Sequence, residues 1–246
     1  MIVQIYEVQN PREAEAMLAL GVDHIGSVVT DMEDWKDPVL RETVSAVRQA
    51  GGKSCLIALT GNEELILKIV DYYQPHILHF CDHLDPADGP ALDRAVDLQL
   101  EVRQRCLGLE VMRSIPVPQA GVMDDCRCLE LAGKLEPASD WLLIDTLLVA
   151  KEKDTASQPV DGFIGITGRT CNWDLARRLV ESASVPVILA GGLGPDNVAG
   201  AVAEVKPAGV DSCTRTNAVD GAGRPIRFRK DPEKVRRFVR AAKDTG

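Results

Sequence analysis

Asp145 closes an apolar run, WLLIDT. A carboxyl there can be partly desolvated, which raises its pKa and suits it to general-acid work; the bland alternative is an Asp that caps the loop that follows. Gly165-Ile166-Thr167-Gly168-Arg169-Thr170 gathers two glycines, two hydroxyls and a cation. Folded over a substrate, Gly168 and Arg169 would set a guanidinium on a carboxylate or phosphate. Read blandly, the segment is a surface loop with an incidental Arg, and it lacks the Gly-Lys-Ser/Thr ending of a nucleotide-phosphate loop. Gly191 and Gly192 follow the run VPVILA and would let a phosphate approach main-chain N–H groups, although turns also take glycine for local reasons. Cys213, Thr214 and Arg215 close another such run. Arg215 either completes a phosphate site with the two glycines or forms a salt bridge to Asp211 or Asp220. His79 and Arg113 sit in short apolar runs as further candidates; a strand His serves as acid, base or donor, or is a satisfied core residue. Tyr6 and Glu7 end the first run, and strand alternation lets only one of them face inward. The histidines show no metal spacing. Cys126 and Cys128 would put their thiols on different faces of a helix, so neither a metal nor a cofactor is expected.

The elements that must position these residues alternate. Strand-like runs cover Ile2 to Val8, His24 to Val29, Ser54 to Leu59, Ile77 to Cys81, Glu110 to Val117, Trp141 to Thr146, Val185 to Ala190 and Gly209 to Cys213. Helical patterns follow each, opened by Pro11, by Asp37-Pro38, by Asn62, near Ala91, at Asp124, near Trp173, at Pro195 and at Asp231-Pro232. Eight strands and eight helices in 246 residues predict an α/β fold, a single (β/α)8 TIM barrel over residues 1–246, rather than a doubly wound open sheet. In a barrel the strand ends named above share one face. So do two long loops, Leu147 to Thr170 and Arg215 to Lys230, which makes that face the expected active site.

A net charge of −9 shows no basic stripe and argues against nucleic acid as a partner. No apolar run approaches the ~20 residues of a membrane span, and no basic leader precedes Ile2. Seven scattered cysteines suit reduced thiols in the cytoplasm. The expected partner is a small phosphorylated substrate, and the expected state a monomer or homodimer.

PVILAGGLGPDNV followed by VKPAGVDSCT, and LLIDT followed by GITGRTCNWDLA, resemble the later strands and loops of the phosphoribosylanthranilate isomerase family. The likeness covers Trp141 to Thr214, with a weaker match in AEAMLALGVDHIGSVV. It implies a (β/α)8 enzyme of tryptophan biosynthesis that turns an aminoaldose phosphate into an aminoketose phosphate. It also implies that Asp145 is the general acid on the sugar ring oxygen.

Three departures stand beside the resemblance. The family's strand 1 carries a Cys base followed by Gly, where this chain has Tyr6 and Glu7. An unperturbed Tyr, with a pKa of about 10, is a poor base at neutral pH; Glu7 is competent only if the strand end turns it inward. The family's Arg after strand 2 is absent from TDMEDWKDP, where Lys36 is the nearby cation. The family's Ser-Ser-Gly-like turn after strand 8 reads Cys213-Thr214-Arg215 here, and its second loop Gly reads Ile166. The expectation is an isomerase of this type with a substituted base. The alternatives are a same-scaffold enzyme acting on another phosphorylated small molecule, or a non-catalytic phosphate-ligand binder.

Overall fold

Side-chain oxygens start most helices. Asn10, Asp37, Asn62, Asp88, Asn172 and Asp231 each accept from backbone N–H groups one turn into the helix that follows, and several of those helices open with Pro. These caps fix where each chain segment leaves the top of a strand and turns back down. In the computed structural model, which describes residues 1–122, 127–148, 162–165 and 167–246, the strands are β1 (Ile2–Ile5), β2 (His24–Val29), β3 (Lys53–Ala58), β4 (Ile77–Phe80), β5 (Glu110–Pro118), β6 (Trp141–Leu147), β7 (Val187–Leu189) and β8 (Gly209–Ser212). The helices between them are α1 (Pro11–Ala19), α2 (Pro38–Gln49), α3 (Glu63–Tyr73), α4 (Gly89–Arg105), α5 (Arg127–Leu135), α6 (Trp173–Ser182) and α7 (Val198–Val205), and α8 (Pro232–Lys243) comes last.

The eight strands close into a parallel barrel, as expected, with β1 beside β8 in the register Gln4↔Asp211 and Ile5↔Ser212. Parallel strands are buried on both faces, so alternate residues serve two cores. Tyr6, Val28, Cys55, Ile77, Met112, Leu143 and Ile188 fill the interior. Val3, Ile5, Ile115, Ile144, Leu189 and Val210 pack outward against helices.

Several boundaries move. β1 stops at Ile5 because Glu7 takes a left-handed backbone, φ 61°. α7 begins at Val198, since Pro195–Asn197 form a turn in which Asn197 accepts from the Gly194 N–H. The region after β8 is built rather than irregular: a 3-10 turn (Thr214–Thr216) leads into an antiparallel hairpin, β9 (Asn217–Val219) and β10 (Pro225–Lys230). Asp124 and Cys126 of the expected fifth helix, Ile166 and much of the loop after β6 lie outside the described residues. Cys128 is buried in the helix–barrel core. No helix of the described residues is long and apolar enough to cross a membrane.

Candidate active site

The carboxyl ends of the strands hold two connected cavities. The smaller, about 30 Å³, is lined by Thr167, Gly168, Gly191, Gly192, Thr214 and Arg215. The larger, about 70 Å³, is walled by Tyr6, Glu7, His79, Leu143, Phe163 and Gly165 among others. Asp145, Asp211 and Cys213 line both.

Asp145 projects from the end of β6, where its Oδ1 accepts from the Thr146 N–H at 2.7 Å. Burial pushes its pKa up to about 6, against that hydrogen bond. Gly165 crosses directly over it: at φ 125° a Cβ there would stand 2.8 Å from Asp145 Oδ2. The backbone thus dries one side of the carboxyl and leaves a proton donor facing the cleft.

The smaller cavity is a backbone cradle. Gly191 and Gly192 have φ of 81° and 58°. A Cβ on Gly191 would meet Thr146 Oγ1 at 2.2 Å, and one on Gly192 would meet the Arg169 carbonyl carbon at 2.5 Å. Close packing as well as conformation therefore requires glycine. Thr146 Oγ1 donates to the Arg169 carbonyl at 2.7 Å, tying the loop before α6 to the end of β6. Arg169 supplies backbone here, and its side chain is exposed. Arg215 is also exposed and reaches over the cradle, with Nε 3.4 Å from the Gly168 carbonyl. Asp220, its other suggested partner, pairs with Arg224 instead.

Tyr6 does not fit the base role. Its hydroxyl lies 2.8 Å from Cys55 Sγ and 2.7 Å from His79 Nδ1, inside the barrel. Burial, followed by the nearby Cys55, drives its pKa well above the ordinary value of 10.0. The ring lies over Gly26 of β2, where a Cβ would come within 2.4 Å of it. His79 is likewise committed: Nε2 is 2.8 Å from Ser114 Oγ. Burial first, and Arg113 second, lower its pKa to about 3, so it is a neutral member of the cleft wall. Because both its nitrogens are taken, the expected substrate contact is not available.

Glu7 departs from the alternation rule. With the strand already ended and φ positive, Tyr6 and Glu7 both line the larger cavity. Glu7 is 1% exposed. Its Oε1 accepts from Arg227 Nε at 2.8 Å and from Nη2 of the same guanidinium, while Oε2 is buried with no nitrogen or oxygen donor on it, and the Cys213 thiol lies against the carboxyl.

Arg113 is not in the cleft. Met112 faces the barrel interior, so Arg113 points outward, 1% exposed, and its guanidinium grips Asp82 at 2.7 and 3.1 Å. Lys36 turns away too, its ammonium over the Trp35 ring at 5.2 Å.

Two residues of the site escape sequence reasoning. Asp211 is buried, and its Oδ1 lacks a partner. Burial first, and Asp145 second, raise its pKa to about 8. An acid in an apolar strand with Asp145's inward parity was the available signal. Arg227 reaches Glu7 across 220 residues of sequence, and nothing local marks it.

Fold and site together define a (β/α)8 barrel with an acid-lined cleft beside a glycine cradle at the strand ends. The model of the N-(5'-phosphoribosyl)anthranilate (PRA) isomerase family matches residues 124–241. The chain is 30% identical to the N-(5'-phosphoribosyl)anthranilate isomerase of Methanopyrus kandleri over 98% of each chain. It is 38% identical to that of Haloferax volcanii over 62% of this chain and 64% of the relative. The solved phosphoribosyl anthranilate isomerase of Thermotoga maritima superposes with a TM-score of 0.71 at 19% identity, covering 99% of this chain and 100% of that one. The chain belongs to the phosphoribosylanthranilate isomerase family.

Proposed function

We propose that the protein isomerises N-(5'-phosphoribosyl)anthranilate to the corresponding aminoketose phosphate, a step of tryptophan biosynthesis, with Glu7 in place of the family's Cys base. The observation that carries this is the pairing across one cleft of an acid kept partly protonated, Asp145, with a guanidinium-held carboxylate, Glu7. A desolvated acid and a carboxyl anchored by a guanidinium on one cleft wall can divide acid and base work between them. Asp145 protonates the ring oxygen as the C1–O bond breaks and the C1–N bond gains double-bond character. Glu7 takes the C2 proton through Oε2, giving an enol amine. Its enol O–H proton is then lost as C1 is protonated, and the aminoketose results with no co-reactant.

The neutral Asp211 carboxyl supports this as a hydrogen-bond donor to a sugar hydroxyl. The phosphate belongs in the smaller cavity, on the positive-φ turn of Gly191 and Gly192 and beside Thr214 and Arg215, where successive main-chain N–H groups can form an anion nest. Arg169 and Gly168 close that cradle from the side. The setting is the cytoplasm, as a monomer or homodimer.

Anthranilate fluorescence with freshly made phosphoribosylanthranilate tests the reading. Asp145→Asn and Glu7→Gln should each lower kcat by about 10²- to 10⁴-fold, the range of a lost acid or base, while Tyr6→Phe stays within a few fold of wild type. Wild type without turnover, or an inactive Tyr6→Phe that folds normally, would sink it.

A further inference from the structure

We propose that Arg227 is a positioning residue for the proton transfer at C2, which makes the β9–β10 hairpin a working part of the active site. The inference rests on Glu7 being the group that takes that proton.

Glu7 has two distinct oxygens. Both Nε and Nη2 of Arg227 converge on Oε1, and Oε2 is left buried beside the cleft with no nitrogen or oxygen donor on it, the Cys213 thiol being the one other polar group against the carboxyl among the described residues. Two N–H groups of one rigid, planar guanidinium on a single oxygen fix where Oε1 sits, which a flexible ammonium holds less well. With Oε1 held, Oε2 is presented from a backbone position where a non-glycine residue holds φ 61°.

The arm that carries Arg227 is itself anchored. Its guanidinium stacks on the Phe228 ring at 4.6 Å, at the point where the hairpin register shifts. The Lys230 N–H donates to Glu13 Oε1 at 2.7 Å, and Lys230 Nζ donates to the Cys213 carbonyl at 3.0 Å. These contacts tie β10 to α1 on one side and to the end of β8 on the other. Arg227 is 40% exposed while Glu7 is 1% exposed, so the guanidinium reaches Glu7 from the solvent side, and Glu7 itself is buried in the wall of the larger cavity. Loss of the fork would leave Glu7 in the cavity but free to rotate, and a misplacement on the order of 1 Å can cost about 10²-fold in rate.

The test measures kcat and KM separately for Arg227→Gln, Arg227→Lys, Glu7→Gln and the double variant, with thermal midpoints as a folding control. The expected result is a fall in kcat of about 10- to 100-fold in Arg227→Gln with KM changed less than about threefold. Added guanidinium at non-denaturing concentration should restore part of that loss. Arg227→Lys should restore less than the native residue does, and Arg227→Gln should add nothing in the Glu7→Gln background. A rise in KM with kcat intact would overturn the proposal by making Arg227 a substrate contact, and so would a folded Arg227→Gln with full kcat. An active Glu7→Gln would instead overturn the base assignment, and the two failures are thereby distinguishable.

Discussion

The ends of β7 and β1 use one backbone device for opposite ends. After β7 the chain turns through Gly191 and Gly192 at φ 81° and 58°, and a Cβ at either would strike Thr146 or Arg169. After β1 it turns through Glu7 at φ 61°, where a large side chain is present and points into the cavity. At β7 the left-handed turn removes side chains so that the main chain can act. At β1 it redirects a side chain that strand alternation would have sent elsewhere. A positive φ on a residue other than glycine costs about 1–3 kcal/mol, which the Arg227 ion pair helps to offset at Glu7.

The largest expected effect breaks this contrast directly. Glu7→Gly should relax the backbone, leaving stability within about 1–2 kcal/mol of wild type as strain relief offsets the lost ion pair. Turnover should nonetheless fall by about 10²-fold or more. Activity retained in that variant would reduce the end of β1 to a turn like the one after β7. Next is Gly192→Ala, in which a Cβ meets the Arg169 backbone. KM for the phosphorylated substrate should rise by about tenfold or more and stability should fall by about 1–3 kcal/mol, measured by titration and thermal melting. An unchanged KM would mean that the cradle does not hold the phosphate.

The smallest effect concerns Asp211, between the two regions. Its folded pKa of about 8 lies above the ordinary 3.8, so its contribution to stability is fullest below the lower value and is lost as pH rises through the upper one. Asp211→Asn should therefore melt a few degrees higher than wild type above about pH 8, and the gain should vanish near about pH 4. A gain independent of pH would show that the carboxyl is not neutral in the fold.

What the sequence discloses follows the same contrast. Asp145, Gly191 and Gly192 interrupt apolar runs, so polarity or glycine marks them where they stand. β2 begins and ends, and α6 begins, where the patterns predict, because a turn or a cap bounds each. Tyr6 and Glu7 are read less well, since alternation holds only while the strand lasts and β1 stops one residue before Tyr6. Arg113 looks like a site residue until its register places Met112 inside the barrel. Arg227 and the Gln4↔Asp211 pairing exist only once the barrel closes, and no local spacing encodes a contact made across that seam.

The Tyr6 ring over Gly26 has a consequence for how such a barrel changes over time. With a Cβ at 26 barred within 2.4 Å of the ring, the two positions cannot drift independently. A ring at 6 requires glycine at 26, and a side chain at 26 is barred while the ring remains. A small side chain at 6 would leave an unfilled hole beside Cys55 and His79. The ring and the glycine are thus one steric unit, and a change at either position is tolerated only with a matching change at the other.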